Sequence, residues 1–169
     1  MKKTNLNDQM RITRSFDAPR GLVWKAWTDP GLFERWWGPK GFTTPVARMD
    51  AYVGGEYLNC MRSPDGKDFW SKGVYLEVIP ENKLVMTDSF ADEVGNTVLS
   101  EHYGMPGFAM EMQISVTFEE TRGGTRLTLV HSGIEHIGDR DRSGMHEGWS
   151  QSLDKLAELL AEKAGKLAA

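Results

Sequence analysis

The sequence has little of several features that would assign a class of protein at once. Cys60 is the only cysteine in 169 residues, which excludes an internal disulfide and leads us to expect a reducing, cytoplasmic location. No apolar run approaches the roughly 18 residues needed to cross a bilayer. Residues 1–9 have no apolar stretch, so we do not expect them to act as a secretory signal and interpret them as a disordered tail.

The sequence also has no excess of positive charge, no metal-binding motif and no nucleophile motif. The chain carries 20 basic and 24 acidic residues, a net charge of -4, so neither nucleic acid nor an anionic membrane is an expected partner. No Gly-x-Ser-x-Gly motif is present, and the glycine pairs at 54–55 and 123–124 are typical of turns rather than of phosphate sites. The histidines show no metal-ligand spacing, so no metal or other cofactor is expected; they are His102, His131, His136 and His146.

Tryptophan and methionine, in contrast, are abundant. Six Trp and nine Met are many for this length, and both side chains are large while Met adapts to irregular spaces. Two interpretations are open at this point. The residues form either a bulky, solid core or a core that does not close completely and leaves a wall of soft side chains around a ligand.

The first third of the chain predicts one strand and two short helices. Alternation over 10–16 indicates a strand with one buried face. Asp17 is then predicted to cap a short helix, with Pro19 early in its first turn. A second short helix is predicted over 31–36, and the glycines and proline at 38–41 end it.

Beyond residue 42 the pattern changes to strands separated by turns. Ten residues from Met110 obey period two, which is the clearest strand signal in the chain. Segment 91–109 has no sustained period and is predicted to be a long, functional loop, with a short buried strand at 98–99 as an alternative. The predicted strands cover 43–52, 56–62, 69–79, 83–90, 110–120 and 125–132.

The last element is a long amphipathic helix, predicted over 139–163. Its apolar residues are spaced 4, 4, 3 and 4 along one stripe, which a sheet must cover. The order of elements predicts one α+β domain over 10–163, with a curved antiparallel sheet of six to seven strands, and a frayed end over 164–169. The stripe consists of Met145, Trp149, Leu153, Leu156 and Leu160.

Several short motifs, in this order and spacing, resemble the START-like (SRPBCC, helix-grip) superfamily, and within it the homologues of the activator of Hsp90 ATPase. The resemblance covers roughly residues 10–162 and implies a sheet that grips the C-terminal helix around a cavity for a small hydrophobic molecule. The motifs are Phe-Asp-Ala-Pro at 16–19, Val-Trp-Lys-Ala-Trp-Thr-Asp-Pro at 23–30, Trp-Trp-Gly-Pro at 36–39, Gly-Gly-Glu-Tyr at 54–57, Pro-Asp-Gly at 64–66, Gly-Val-Tyr-Leu-Glu-Val at 73–78, and Glu-Gly-Trp-Ser-Gln-Ser-Leu-Asp-Lys-Leu at 147–156.

The predicted ligand-binding residues are large side chains expected to point inward near the helix. Trp70 and Tyr75 are not expected to share a face, because they lie five positions apart, an odd offset, on one strand. His131, in phase with apolar neighbours, is either a hydrogen-bonded core residue or a general acid/base. The full set is Trp36, Tyr57, Met61, Trp70, Tyr75, Met112, His131, Trp149 and Leu153.

Three functions follow from the resemblance. The leading one is non-enzymatic binding of a small hydrophobic molecule, such as a lipid or an aromatic or polyketide-like compound. The second is a cyclase-, aromatase- or hydrolase-type enzyme that uses His131 with Glu77 or Tyr75. The third is an interaction module like the chaperone activator, with an Hsp90-type chaperone as partner. Separately, four tryptophans crowded at 24–37 predict a homodimer contact, because exposed apolar patches mark interfaces.

Overall fold

The structure is a computed structural model that describes residues 8–168. Within this range the chain forms seven strands, three α-helices and one 3₁₀-helix. In chain order they are β1 (Gln9–Phe16), α1 (Arg20–Thr28), α2 (Pro30–Phe33), β2 (Thr43–Met49), β3 (Glu56–Arg62), β4 (Asp68–Ile79), β5 (Lys83–Ala91), the 3₁₀-helix (Ser100–Tyr103), β6 (Met112–Thr121), β7 (Gly124–Ser132) and α3 (Asp139–Ala168).

The described strands build a single antiparallel sheet in the order β1-β7-β6-β5-β4-β3-β2. The sheet curls into a half-barrel, and α1, α2 and α3 pack on its concave side. The predicted α+β architecture, with a curved antiparallel sheet around a long C-terminal helix, is therefore confirmed. No helix within residues 8–168 is both long enough and apolar enough to cross a bilayer.

The stripe predicted on the last helix forms the centre of the core. Trp149, Leu153, Leu156 and Leu160 are all buried, whereas Met145 at the start of the stripe is only half-buried. Burying such a side chain contributes about 1.5–3 kcal/mol, so the stripe anchors α3 on the sheet.

The start of α1 differs from the prediction. The helix begins at Arg20, its N-cap residue is Pro19, and no side chain caps it, so the predicted role of Asp17 is wrong. Pro19 has an extended ψ of 144°, and its ring already sets φ near the helical value, so the chain enters the helix without an Asp cap. α2 is shorter than predicted, and there Asp29 Oδ1 does accept a hydrogen bond from the Leu32 amide at 3.1 Å.

The strand predictions are right in number and order but differ at several ends. β2 ends at Met49 because the chain turns tightly afterwards: a Cβ on Gly55 would lie 1.9 Å from the Asp50 carbonyl oxygen. Met110 precedes β6 and is exposed, so it does not belong to the buried row of that strand. The alternative of a buried strand at 98–99 is wrong, because Leu99 is 56% exposed and leads into the 3₁₀-helix.

The structure describes only part of the predicted N-terminal tail and of the predicted frayed C-terminal end. Residues 1–7 lie outside the described residues, and Gln9 already belongs to β1. At the other end, α3 continues past the predicted limit at Lys163 to Ala168.

Candidate functional site

A small cavity lies on the concave side of the sheet, below α1 and α2. Its volume is about 20 Å³, which is room for about one water molecule. The wall is mostly apolar and aromatic, and five of its side chains carry one polar group each: two indoles, two phenols and one carboxamide. The lining residues are Trp27, Phe33, Trp37, Met49, Tyr57, Asn59, Tyr75, Met86 and Ile114.

Aromatic side chains fill most of the space where a larger cavity was expected. Trp149 of α3 stacks on Trp27 of α1, with ring centroids 6.2 Å apart and planes within 18°. It also meets Trp37 edge-on at 5.0 Å. Because side chains from α1, from α3 and from the segment after α2 meet at this point, the ligand-sized cavity predicted from the sequence is not open in this structure.

Only two of the predicted ligand-binding residues, Tyr57 and Tyr75, line the cavity. Along β4, Trp70 pairs with Cys60 of β3 and Tyr75 pairs with Met86 of β5. The two residues lie five positions apart on this strand, so their side chains point to opposite faces, which agrees with the prediction. The other predicted residues are not part of this lining; they are Trp36, Met61, Trp70, Met112, His131, Trp149 and Leu153.

The remaining lining residues were missed by the sequence reasoning. Asn59 was detectable, since it shares parity with Tyr57 and Met61, two residues predicted to point inward. Phe33, Trp37 and Met49 carry no comparable signal. Only the packing of α2 and the segment after it on the sheet, and the pairing of β2 with β3, bring them to the cavity.

His131 belongs to a buried polar chain that reaches the cavity wall. Trp149 Nε1 donates to His131 Nδ1 at 3.1 Å, and His131 Nε2 lies 3.4 Å from Asp88 Oδ2. The Tyr57 hydroxyl lies 2.9 Å from Asp88 Oδ1 and 2.8 Å from the Thr87 carbonyl oxygen, and donates its one proton between them. Since Nδ1 accepts from the indole, a neutral imidazole carries its proton on Nε2, facing Asp88.

The predicted pairing of His131 with Glu77 is wrong. Glu77 Oε2 lies 3.2 Å from Lys83 Nζ on the surface, and its side chain is 42% exposed. A register shift in β4 between Tyr75 and Glu77 alters the alternation there, and the carboxylate that lies near His131 comes from β5 instead.

Both cavity tyrosines are held in their un-ionised form. Burial, and next the Asp88 carboxylate, raise the pKa of the Tyr57 phenol well above its ordinary value. Burial, and next the charge of Asp50, raise the pKa of Tyr75. Both hydroxyls therefore remain hydrogen-bond donors at neutral pH.

The tryptophans that predicted a homodimer contact pack largely within the subunit. Trp36 is fully buried and Trp27 nearly so, which leaves no surface on either for a partner. Trp24 is half-buried and packs against Phe118, with ring centroids 5.4 Å apart. Trp37 is half-buried and packs against Phe33, with ring centroids 4.8 Å apart. The homodimer stays a prediction, now without Trp27 and Trp36 as its contacts.

The curled sheet and the long C-terminal helix packed on its concave side define an α+β protein of the helix-grip type. The sequence profile described as "Activator of Hsp90 ATPase homolog 1-like protein" matches residues 17–161, and the chain belongs to this family. This family was the one identified from the motifs.

Solved structures of bacterial proteins share this fold over nearly their whole length. A protein from Nitrosomonas europaea is 26% identical with a TM-score of 0.78, over 95% of this chain and 99% of that one. A protein from Chromobacterium violaceum is 30% identical with a TM-score of 0.75, over 92% and 98%. The AHSA1 protein from Silicibacter pomeroyi is 25% identical with a TM-score of 0.70, over 92% and 99%. No curated protein matches the chain.

Proposed function

We propose that this protein binds a small hydrophobic molecule, without converting it, in the cavity below α1 and α2. The observation that carries the proposal is the unequal burial of the cavity wall. Seven of the nine lining residues are buried, whereas Trp37 and Met49 are half-buried and stand between the cavity and solvent. Apolar concavities with a few polar groups are the usual form of small-molecule sites.

Ligand entry requires these two side chains to move, since an engineered cavity that binds benzene measures about 150 Å³. Met49 has a flexible thioether side chain that adapts readily. The backbone of Trp37 is held in place, because its carbonyl oxygen accepts hydrogen bonds from Thr44 Oγ1 at 2.9 Å and from Lys155 Nζ at 3.3 Å. A rotation of the Trp37 side chain would therefore enlarge the cavity without moving the chain.

A titration with the neutral fluorophore N-phenyl-1-naphthylamine tests the proposal. We expect saturable binding to the wild-type protein, and binding several-fold tighter, on the order of 1 kcal/mol, to Trp37→Ala, where the side chain need not be displaced. Ile114→Phe, which fills the cavity, should weaken binding. The matched control is Leu99→Ala, a truncation of an exposed side chain away from the cavity. Absence of saturation with both wild type and Trp37→Ala, up to the solubility limit of the dye, contradicts the proposal.

The other two functions implied by the resemblance stay predictions. An enzyme would now need Tyr75 in the cavity without His131, which is not part of the lining. A chaperone-activator role predicts that stoichiometric amounts of the protein stimulate the ATPase of a purified Hsp90-type chaperone.

A further inference from the structure

Two buried polar atoms of the cavity residues have no hydrogen-bond partner among the described residues. They are the indole nitrogen Nε1 of Trp27, a donor, and the carboxamide oxygen Oδ1 of Asn59, an acceptor. Each residue is only 3% exposed, and both line the cavity. Because leaving a buried donor or acceptor unpaired costs free energy, two such atoms on residues that line the same cavity favour an occupant there.

The position of Asn59 makes a purely structural role difficult to explain. It lies in the middle of β3, between Ala47 of β2 and Ser71 of β4, on the face that packs inward. Asparagine is depleted in strands, and an apolar side chain would fill this position without an unpaired amide. Within the described residues its carboxamide oxygen Oδ1 has no hydrogen-bond partner and is available to a ligand.

Tyr75 adds a third polar group to the same wall. Its hydroxyl makes no hydrogen bond within the described residues, and Tyr75 is 2% exposed. The cavity thus presents an indole N–H, a phenol O–H and a carboxamide that both donates and accepts.

The wall carries no charged side chain among its nine residues. An ionised ligand would lose its hydration without gaining a counter-charge, which is costly in an apolar site. Aromatic rings supply much of the wall, and flat molecules pack best against such rings.

We infer that the preferred ligand is a neutral, planar molecule with a carboxamide or lactam edge, whose carbonyl accepts from Trp27 Nε1 and whose N–H donates to Asn59 Oδ1. The inference rests on the proposed function and narrows its ligand class. Tyr75 completes the polar edge, while the remaining side chains contact the apolar body of the ligand.

Benzamide, benzoate and toluene are the probes that test this class, since they share a ring and differ in the polar edge. Binding is followed by ligand-detected NMR and by the tryptophan fluorescence of the protein. We expect benzamide to bind more tightly than toluene and benzoate not to bind. Asn59→Leu should weaken benzamide binding about tenfold and leave toluene unchanged. Trp27→Phe, which keeps an aromatic ring but removes the N–H group, should do the same.

Thermal unfolding of Asn59→Leu separates a ligand-binding role from a structural one. An unchanged or higher melting temperature is expected, because an apolar side chain then replaces an unpaired amide. A markedly lower melting temperature would show that the amide stabilises the fold and would overturn the inference.

The possible outcomes distinguish this inference from the proposed function. If N-phenyl-1-naphthylamine binds but the three small probes bind equally, with no effect of Asn59→Leu, the ligand class is wrong and the cavity proposal stands. If neither the dye nor any probe binds, both are wrong, and a single water molecule bridging Trp27 and Asn59 accounts for the polar atoms.

Discussion

The two halves of the sheet are built on different principles. In the regular half, β1, β6 and β7, every second residue of β6 from Met112 to Phe118 is buried, and β6 pairs with β7 without a register shift. In the cavity half, β2 to β5, two register shifts occur, and the adjacent residues Asn59 and Cys60 are both buried. The regular half stabilises the fold by apolar packing, whereas the cavity half carries Tyr57, Asn59 and Tyr75, three of the polar residues of the cavity wall.

Truncation in the regular half should have the largest effect on stability. Phe118→Ala removes a buried ring whose centroid lies 5.4 Å from that of Trp24 and 6.4 Å from that of Trp27. The substitution should lower the free energy of unfolding by about 3–5 kcal/mol. Met49→Ala in the cavity half should cost only about 1 kcal/mol, because Met49 is half-buried. Urea unfolding of the two variants measures the difference; equal losses would show that the halves do not differ in this way.

Alkaline pH should destabilise the protein through the cavity half. The folded-state pKa values of Tyr57 and Tyr75 are raised, so their contribution is fully present below about pH 10 and falls as pH rises above it. Each tyrosine adds a slope of about 1.4 kcal/mol per pH unit while only the unfolded state is ionised. Free energies of unfolding measured between about pH 8 and pH 11 should show this slope above about pH 10.

Phenylalanine substitutions assign the alkaline slope to particular residues. Tyr57→Phe and Tyr75→Phe should each remove the part of the slope that one tyrosine contributes. Tyr52→Phe, at a residue that is 62% exposed, is the control and should leave the slope unchanged. Burial also raises the pKa of Cys60, to about 11, and that of Tyr103, so part of the slope remains in each variant. A slope that neither cavity substitution reduces would contradict the assignment.

The hydrogen bond between Trp149 and His131 connects α3 to both halves, because His131 lies on β7 and faces Asp88 of β5. A double-mutant cycle with Trp149→Phe and His131→Phe should give a coupling energy of about 0.5–1.5 kcal/mol. Chemical unfolding of the wild type, the two single variants and the double variant provides the four free energies. A coupling near zero would mean that this bond does not tie the helix to the sheet.

The smallest effect is expected on the surface of the regular half. Arg14 Nη1 lies 2.7 Å from Asp154 Oδ1, and both side chains are partly exposed. Asp154→Asn should cost at most about 1 kcal/mol, and less in about 1 M sodium chloride. Arg14 holds the pKa of Asp154 below its ordinary value, so this contribution should fade as pH falls below about 4. A loss that is independent of salt would indicate a role other than ion pairing.

The accuracy of the sequence predictions follows the same division. The period of β6 and the stripe of α3 predicted their buried residues, except for Met110 and Met145 at the ends, because each pattern repeats within one element. In the cavity half, parity identified Tyr57 and could have identified Asn59, whereas it left open which of Trp70 and Tyr75 faces inward. It could not identify Asp88 as the neighbour of His131, because that proximity depends on how β5, β6 and β7 pair.

By itself, the sequence determined the order of elements, the curled antiparallel sheet, the inward faces of the most regular elements and the family. The order of elements and their inward faces follow from local periodicity and from turn residues, which act over a few neighbouring positions. The family was identified from the resemblance of the short motifs. Only the tertiary structure decided that Trp149, Trp27 and Trp37 meet and close most of the interior, and that Trp27 and Asn59 share a small cavity. Such contacts join residues far apart in the chain, so they depend on how whole elements pack rather than on any local pattern.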